Sequence, residues 1–589
     1  MFFHGVYERV LGFLALALVV NGIDDLVPAL ICLWNWFRPG NLDDAALDRK
    51  TQRRLAIFVP CWREAEVIGQ MVRHNVAAIK YQKYDFFLGV YPNDEATIEV
   101  TKALAAQIKN VHVALCPNNG PTSKADCLNA IYQRMVDHET QRNIHFDTVV
   151  IHDAEDLIHP EAFDLINRER VQYDMVQVPV LPLPTPPAEF THGVYCDDFA
   201  EYQAIDMRAR QISGSFIPSN GVGTGYSRKI LDRMASLNRG IVFEPSSLTE
   251  DYDSGIRIFE LGFSQKFCSL RKTGGDYLAT REYFPRRFHA AVRQRTRWLM
   301  GNALQSWERH GWRGSFAVRY WLWRDRKGLM ANPIGLATNI LFIAGMVTWC
   351  WSNVTRQPWL LEIETPWVLK LCAATLGLQC FRLTVRMECV RRIFGLPIAL
   401  LVPVRSFHAN LINALSTWQA IERYVKARMH GRSLTWLKTE HVYLNQESRA
   451  ARHRSIEEVL VGAGTMSQAK LESLQKRLGQ QAELSDYLVH SGELSEEELS
   501  ETLGLKYGVP SIYLDPRDIK PGVARILPAE TQAEARVIPF RIERGRLLIA
   551  GPQPLESAIL QSLRRFTKLE IEFHLVTWRN FEELRRVIV

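Results

Sequence analysis

At 589 residues the chain is too long for one ordinary domain, and a prior of about 150 residues per domain divides it into roughly three or four parts. Hydrophobic residues make up 47% while mean hydropathy is only -0.12, which excludes a chain that is apolar throughout and concentrates the apolar residues in particular segments. The net charge of +7 is the ordinary excess of cytoplasmic loops beside membrane spans, and no nucleic-acid partner is expected. Ten cysteines are scattered with no C-x-x-C pair and no histidine at zinc-finger spacing. Reduced thiols facing a cytosol fit this better than a disulfide framework.

Residues 1–40 read as a membrane anchor. Val10 to Val20 is an unbroken apolar run, Asn21, Gly22, Asp24 and Asp25 interrupt it, and Leu26 to Phe37 resumes it. Together these span about 30 Å of hydrocarbon. No basic start or small-residue cleavage site marks a cleavable signal peptide, so a retained anchor is expected. The two aspartates are expensive in lipid and must face protein or water; a structural break of the helix is expected there.

From Leu55 short apolar runs alternate with helical stretches: Leu55 to Val59, then a helix through Val76; Phe86 to Tyr91, then a helix through Ala106; Val111 to Leu115; Thr148 to Ile151. This alternation predicts a parallel sheet covered by helices over residues 50–310. Ligands bind such sheets at the carboxyl ends of the strands. The polar residues just past each run are Pro60 and Glu64, then Asn93, Asp94 and Glu95, then Lys124 and Asp126, then Asp153, Glu155 and Asp156. Singly, each acid reads as a loop residue or a helix cap. Jointly, on one sheet edge, they offer hard oxygen ligands for a divalent cation and its bound phosphates, with Lys124 as a point cation for phosphate charge. Further on, Thr249-Glu250-Asp251 puts paired carboxylates in a turn ahead of a helix, where Asp251 is suited to accept a proton from an attacking hydroxyl. Gln294-Arg295-Thr296-Arg297-Trp298 lies in a basic aromatic helix.

Residues 311–430 return to the membrane. Pro333 to Trp351 and Trp367 to Phe381 are nearly charge-free. Arg324, Arg326 and Lys327 precede the pair and Arg382, Arg386, Arg391 and Arg392 follow it, while Arg38, Arg49, Lys50, Arg53 and Arg54 follow the anchor. The positive-inside rule makes the pair a hairpin dipping outward, with both the 50–330 region and the tail cytoplasmic. Trp349, Trp351, Trp359 and Trp367 read as an interfacial belt. Phe394 to Val404 is too short to cross, so it and the amphipathic run Phe407 to Tyr424 are expected in the interface or re-entrant.

The tail, 450–589, turns soluble and helix-rich. A unit recurs: Leu460-Val461-Gly462-Ala463-Gly464 followed by Leu471 and Leu474, then Leu488-Val489-His490-Ser491-Gly492 followed by Leu499 and Leu503. Ser467 and Ser495 are placed to cap the helices that follow, the latter with Glu498 as a capping box. From about Ile512 onward a small α/β unit is expected.

The ordered fragments Pro60-Cys61-Trp62-Arg63-Glu64-Ala65-Glu66, Ser123-Lys124-Ala125-Asp126-Cys127-Leu128-Asn129, Asp153-Ala154-Glu155-Asp156, Thr249-Glu250-Asp251 and Q-x-x-R-W at 294–298 resemble processive family-2 glycosyltransferases such as the cellulose, hyaluronan and poly-N-acetylglucosamine synthases. The resemblance implies a GT-A α/β catalytic domain and an inverting reaction on a UDP-sugar. It implies donor contacts from Pro60, Glu64, Asp94, Lys124, Asp153, Gln294, Arg297 and Trp298, and magnesium or manganese at Asp153 and Glu155. It makes Asp251 the catalytic base, with Glu250 beside it. Glu155 stands where many relatives have a second aspartate, which leaves Glu155 and Asp156 as alternative metal ligands. Asn220-Gly221-Val222-Gly223-Thr224-Gly225 resembles the family's acceptor-side loop.

The tail resembles the α+β MshEN domain, whose paired motifs bind cyclic di-GMP. On that resemblance Leu460, Gly464, Leu471, Leu488, Gly492 and Leu499 are the nucleotide-binding positions and cyclic di-GMP is an allosteric activator. The family's leading Arg and Gly fall on Ser455 and Glu457 in the first motif and on Glu483 and Ser485 in the second, and Lys506 replaces the closing Gln. A family-2 synthase joined to such a tail is similar to the NfrB (phage adsorption protein B) type. This implies a multi-pass protein of the bacterial inner membrane that polymerises a sugar, N-acetylmannosamine or another N-acetylhexosamine, into an exopolysaccharide handed to an outer-membrane export partner. The alternatives are a non-processive transferase acting on a lipid carrier and a non-catalytic phage receptor or export-complex component.

Overall fold

The computed structural model describes residues 2–36 and 51–431 apart from 270–271 and 274–275. Beyond these it describes 434, 456, 460, 466, 470–471, 473–474, 487–489 and 491–588, the last without 508, 520, 544–545, 556 and 568. Arg38, Arg49 and Lys50 and, in the tail, Gly464 and Ser467 lie outside the described residues.

The α/β unit is built on strands β1 (Leu55–Pro60), β2 (Tyr84–Val90), β3 (Val111–Leu115), β4 (Thr148–Ile151), β5 (Met175–Gln177), β6 (Val180–Pro182), β7 (Thr224–Ser227) and β8 (Gln265–Phe267). The four apolar runs of the sequence are β1 to β4, and they pair in parallel in the order β3-β2-β1-β4. The seven-stranded sheet continues through β7, β5 and β8. It is mixed rather than wholly parallel: β7 runs antiparallel to both β4 and β5. β7 is only Thr-Gly-Tyr-Ser, too short and polar to announce itself by hydrophobic pattern. Helices α2 (Ile68–Ala78), α3 (Glu95–Gln107), α4 (Lys124–Arg142), α5 (Ala162–Glu169), α6 (Phe190–Glu201), α7 (Met207–Ile212), α8 (Arg228–Leu237) and α9 (Glu250–Glu260) connect and cover the strands. Two apolar clusters occupy the two faces, one around Ile57, Val59 and Phe86, the other around Phe58, Phe87 and Met135. This is the period-two alternation of strands buried on both sides. The short strands β9 (Lys272–Thr273), β10 (Asp276–Tyr277) and β11 (Thr280–Glu282) follow, β11 pairing in parallel with β6.

Among the described residues three helices are long and apolar enough to cross a membrane: α1 (Phe2–Trp36), α13 (Gly328–Thr355) and α14 (Pro366–Phe394), the last two preceded by α10 (Phe288–Trp298), α11 (Ser306–His310) and α12 (Phe316–Arg326). The expected break at Asp24 and Asp25 does not occur. α1 runs through both acids because ion pairs compensate them: Lys327 Nζ lies 2.5 Å from Asp24 and 2.6 Å from Asp25, Arg324 2.8 Å from Asp24, and Arg382 3.3 Å from Asp25. Pro28, inside the helix, has no N–H to give the carbonyl of Asp24 four residues back. That carbonyl instead accepts from Arg324 Nη1 at 2.9 Å and Tyr320 OH at 3.4 Å. The interruption in the apolar run is therefore a junction with α12 to α14.

After Gly395 the chain forms the single turn α15 (Leu396–Ala399) and then α16 (Val402–Met429), so the first of the two stretches is broken up and only its last three residues, Val402 to Val404, share a helix with the second. α16 packs on α6, α10 and α13. The buried pair Asp197–Arg405, 2.6 Å apart, fastens it to α6.

In the tail, Leu460, Leu471, Leu474, Leu488 and Leu494 gather in one apolar cluster with Leu499 against it. The capping box forms: Ser495 Oγ accepts from Glu498 N at 3.1 Å and Glu498 Oε2 from Ser495 N at 3.0 Å. The capped helix Glu496–Tyr507 packs on α2. Beyond it β12 (Ile538–Glu543), β13 (Arg546–Gly551) and β14 (Glu570–Leu575) form a three-stranded sheet, antiparallel then parallel.

Candidate active site

Strand β1 leads to β2 on one side and pairs with β4 on the other, so the strand order reverses between β1 and β4. A crevice forms at the carboxyl ends of strands at such a point. The cavity found there is lined by Pro60, Glu64, Lys124, Asp153, Glu155, Glu250, Asp251, Gln294, Arg297 and Trp298, among others. Segments far apart in sequence thus meet in one place, and each is positioned by its own local device.

Past β1 the chain turns through Arg63, whose φ is +56°. Arg63 N donates to Asp94 Oδ2 at 2.6 Å and Glu64 N to Thr97 Oγ1 at 3.1 Å. Asp94, expected to touch the donor, is buried and absent from the cavity lining; it shapes the turn that presents Glu64. Lys124 opens α4, whose N-cap Ser123 accepts from Asp126 N at 3.2 Å. Its Nζ lies 2.5 Å from Asp153 Oδ1 and 3.3 Å from the Gly221 carbonyl. Burial alone would lower the lysine pKa, but the carboxylates of Asp153, Glu250 and Asp251 outweigh burial and raise it, so the cation is held firmly.

Of the two candidate metal-side acids, Glu155 lines the cavity and Asp156 does not. Asp156 is fully buried behind it, its Oδ2 2.7 Å from His152 Nδ1 and accepting from Asp153 N at 3.1 Å. Burial pushes Asp156 well up and His152 down to about 3.

Glu250 and Asp251 lie in the first turn of α9, not in the turn before it, with Thr249 as N-cap. Burial raises both carboxyls above their ordinary values. Glu250, with Asp251 as the next cause, reaches about 7. Gly221 faces Asp251 with φ +79°, and a methyl group there would sit 2.6 Å from Asp251 Oδ2. The acceptor-like loop is thus a close backbone approach that only glycine permits without strain.

On α10, Gln294, Arg297 and Trp298 face the cavity while Arg295 turns away. Arg295 bonds Asp198 at 2.8 Å and Asn413 at 2.7 Å and lies 4.7 Å over the Tyr195 ring. Directly after Trp298 the helix widens into a π-helical segment, Leu299–Gln305. Gln305 there accepts from Leu248 N at 3.0 Å and donates to Ser246 O at 3.1 Å, pinning the approach to Thr249.

Tyr91, Glu282 and Phe284 also line the cavity and went unremarked in the sequence. Phe284 stacks on Tyr195 at 4.9 Å and meets Trp298 edge-on at 6.4 Å. Tyr91 immediately follows β2, the signal already used for its neighbours. Glu282 ends β11, a strand too short to be read from pattern.

Residues 52–301 match the family model described as glycosyltransferase like family 2, and residues 507–586 match the MshEN domain. The MshEN match begins past both glycine units of the tail. The chain is 29% identical over 593 residues to bacteriophage adsorption protein B of Escherichia coli strain K12, covering 96% of this chain and 79% of that one. The type IV pilus assembly ATPase PilB of Thermus thermophilus is 31% identical over 116 residues, 19% of this chain and 13% of that one. Among solved structures, a mannosyltransferase from Pyrobaculum calidifontis in complex with GDP-Man and Mn2+ is 15% identical, covers 70% of this chain and 99% of its own, and has a TM-score of 0.43. The chain accordingly carries a family-2 glycosyltransferase domain of GT-A-like α/β fold and a C-terminal MshEN domain, has among the described residues three helices of membrane-spanning length, and is similar over almost its whole length to phage adsorption protein B.

Proposed function

We propose that this glycosyltransferase takes sugar from a UDP-sugar on the cytoplasmic side of the bacterial inner membrane and adds it, with inversion, to a growing polysaccharide. Its parts are an anchor at 1–40, the catalytic domain at 50–310, a membrane hairpin with interfacial helices at 311–430 and a regulatory domain at 450–589. The observation carrying this reading is the meeting of Glu64, Lys124, Asp153, Glu155, Asp251, Arg297 and Trp298 in one cavity.

The acceptor hydroxyl attacks the anomeric carbon, its proton passes to Asp251, and the bond from that carbon to the diphosphate breaks, releasing UDP. One displacement inverts the centre and needs no covalent intermediate. A carboxyl raised by burial is a better proton acceptor than a solvated one. Lys124 and Arg297 meet the charge on the departing diphosphate, which is electrostatic stabilisation by groups already in position. Asp153 and Glu155 offer hard oxygens on one wall and would hold magnesium or manganese, which supplies further neutralisation of the diphosphate. Trp298 gives the acceptor sugar a flat face to rest on, with Phe284 packed edge-on behind it.

Processivity is supported by α10 leading through α11 and α12 into the membrane hairpin, and by the Arg295 bonds to α6 and α16 that fix the Q-x-x-R-W helix against them. The tail reading, binding of cyclic di-GMP and activation by it, is supported by the MshEN match and by the turn at Gly492, φ +72°, beside the leucine cluster. An N-acetylhexosamine such as N-acetylmannosamine as the sugar, and an outer-membrane export partner, complete the proposal on the sequence resemblance alone.

Detergent-purified protein given a panel of UDP-sugars is expected to release UDP with one of them, with loss of activity on chelation. Asp251→Asn is expected to keep donor affinity and lose about two to four orders of magnitude in turnover. Asp153→Ala is expected to weaken donor affinity and metal dependence together. Parent-like turnover by Asp251→Asn refutes the assignment.

A further inference from the structure

The sugar cavity sits at the carboxyl ends of the strands. A second group of chemistry-bearing side chains gathers near their amino-terminal ends. Asp85 stands near the start of β2 and His112 near the start of β3, while His138 comes from the later turns of α4. One ligand atom from each lies within 4.8 Å of the other two. The strand period sends Asp85 and Phe87 to the same face, and Phe87 and Phe146 wall the group. Phe87 is 5.0 Å from the His112 ring and 5.7 Å from His138, and Phe146 is 6.4 Å from His138. The two imidazoles lie 4.1 Å apart at 41°.

Asp85 divides its carboxylate. Oδ1 is 3.0 Å from His112 Nε2 and Oδ2 accepts from Arg54 Nη1 at 2.9 Å. Asp85 and His138 are buried, while the His112 side chain keeps 16% of its exposure, leaving a way in from solvent. A hydrogen-bonded His–Asp pair has no need of a second imidazole within contact distance. Two imidazoles and a carboxylate form a borderline-soft donor set that suits zinc, unlike the oxygen-only set of Asp153 and Glu155. Arg54 on the far carboxylate oxygen is the kind of outer support that ligating carboxylates carry.

We propose that Asp85, His112 and His138 form a zinc site, separate from the sugar chemistry, that ties β2, β3 and α4 together. Because α4 begins at Lys124, the metal would fasten near one end the helix whose other end reaches the cavity.

The test uses the full chain in detergent, stripped with chelator and titrated with zinc alone. Bound metal is measured after desalting, and the melting temperature is followed. One zinc per chain is expected, unaffected by excess magnesium, with a melting temperature that rises with free zinc because the metal binds the folded state. His112→Gln and His138→Gln are each expected to weaken binding at least about tenfold, as is Arg54→Gln through the outer support. Asp153→Asn is expected to bind zinc like the parent. Cobalt(II) in place of zinc should give visible d–d absorption in the parent, which reports the site without any variant. A parent that binds no zinc, or zinc retained at parent affinity by the His112→Gln/His138→Gln double variant, overturns the proposal.

Discussion

Substituting Gly221 by alanine tests whether the backbone beside Asp251 is part of the reaction geometry. The added methyl would stand 2.6 Å from Asp251 Oδ2, against an ordinary contact of about 3.5 Å, so relief requires a shift of roughly 1 Å. The loop cannot retreat freely, because the Gly221 carbonyl accepts from Lys124 at 3.3 Å, and the lysine is paired in turn with Asp153. Asp251 therefore yields. A misplacement of about 1 Å at a reacting group costs on the order of 10²-fold in rate, about 2.7 kcal/mol of barrier. The left-handed φ adds about 1–2 kcal/mol against any residue but glycine, which lowers the melting temperature by a few degrees. Gly223 is the control. Its φ is +63° and its methyl would meet Thr280 Oγ1 at 2.6 Å, giving similar strain without touching the acid. UDP release at saturating donor, read beside the melting temperature, should show Gly221→Ala slowed about a hundredfold and Gly223→Ala far less. Equal turnover loss in the two variants, or parent-like turnover by Gly221→Ala, refutes the reasoning.

Three other outcomes follow. The Glu250 carboxyl is raised from 4.5 to about 7, so between these values the folded chain holds a proton that the unfolded chain has released. Stability therefore falls as pH rises through that window, and the melting temperature of Glu250→Gln should gain on the parent from pH 4.5 to 7 and keep a constant lead above; a lead independent of pH contradicts the shift. On the proposed topology of three crossings with the carboxyl terminus inside, a cysteine engineered near Thr355 should react with an impermeant maleimide from outside and one at Gln475 should not. This requires a Cys350→Ser background, because Cys350 is itself exposed, and the reverse labelling pattern rejects the topology. Calorimetry on the full chain should show cyclic di-GMP binding that Gly492→Trp removes, with activity rising as much as a coupling of about 1–3 kcal/mol allows, five- to 150-fold; absence of binding leaves the tail a docking domain.

The sequence by itself determined the strands β1 to β4 and where their acids emerge. A strand buried on both faces must be a short apolar run, and in a parallel sheet the functional groups follow its carboxyl end. It also determined the three helices of membrane-spanning length, since length and hydropathy are local quantities, and the Ser495–Glu498 capping box, whose bonds span only three residues. What it could not determine is pairing between distant segments. Asp24 and Asp25 look like a break until Arg324, Lys327 and Arg382 arrive from helices some 300 residues away to balance their charge. Asp94 carries the chemistry of a ligand-binding acid, yet a backbone N–H from the neighbouring turn claims it. Glu155 and Asp156 are alike as text, and only the packing of His152 beneath β4 sends one inward and leaves the other facing the cavity. Asp85, His112 and His138 have no spacing that marks them. They become one group only because parallel pairing sets the starts of β2 and β3 side by side and α4 crosses that face, so their juxtaposition belongs to the tertiary structure alone.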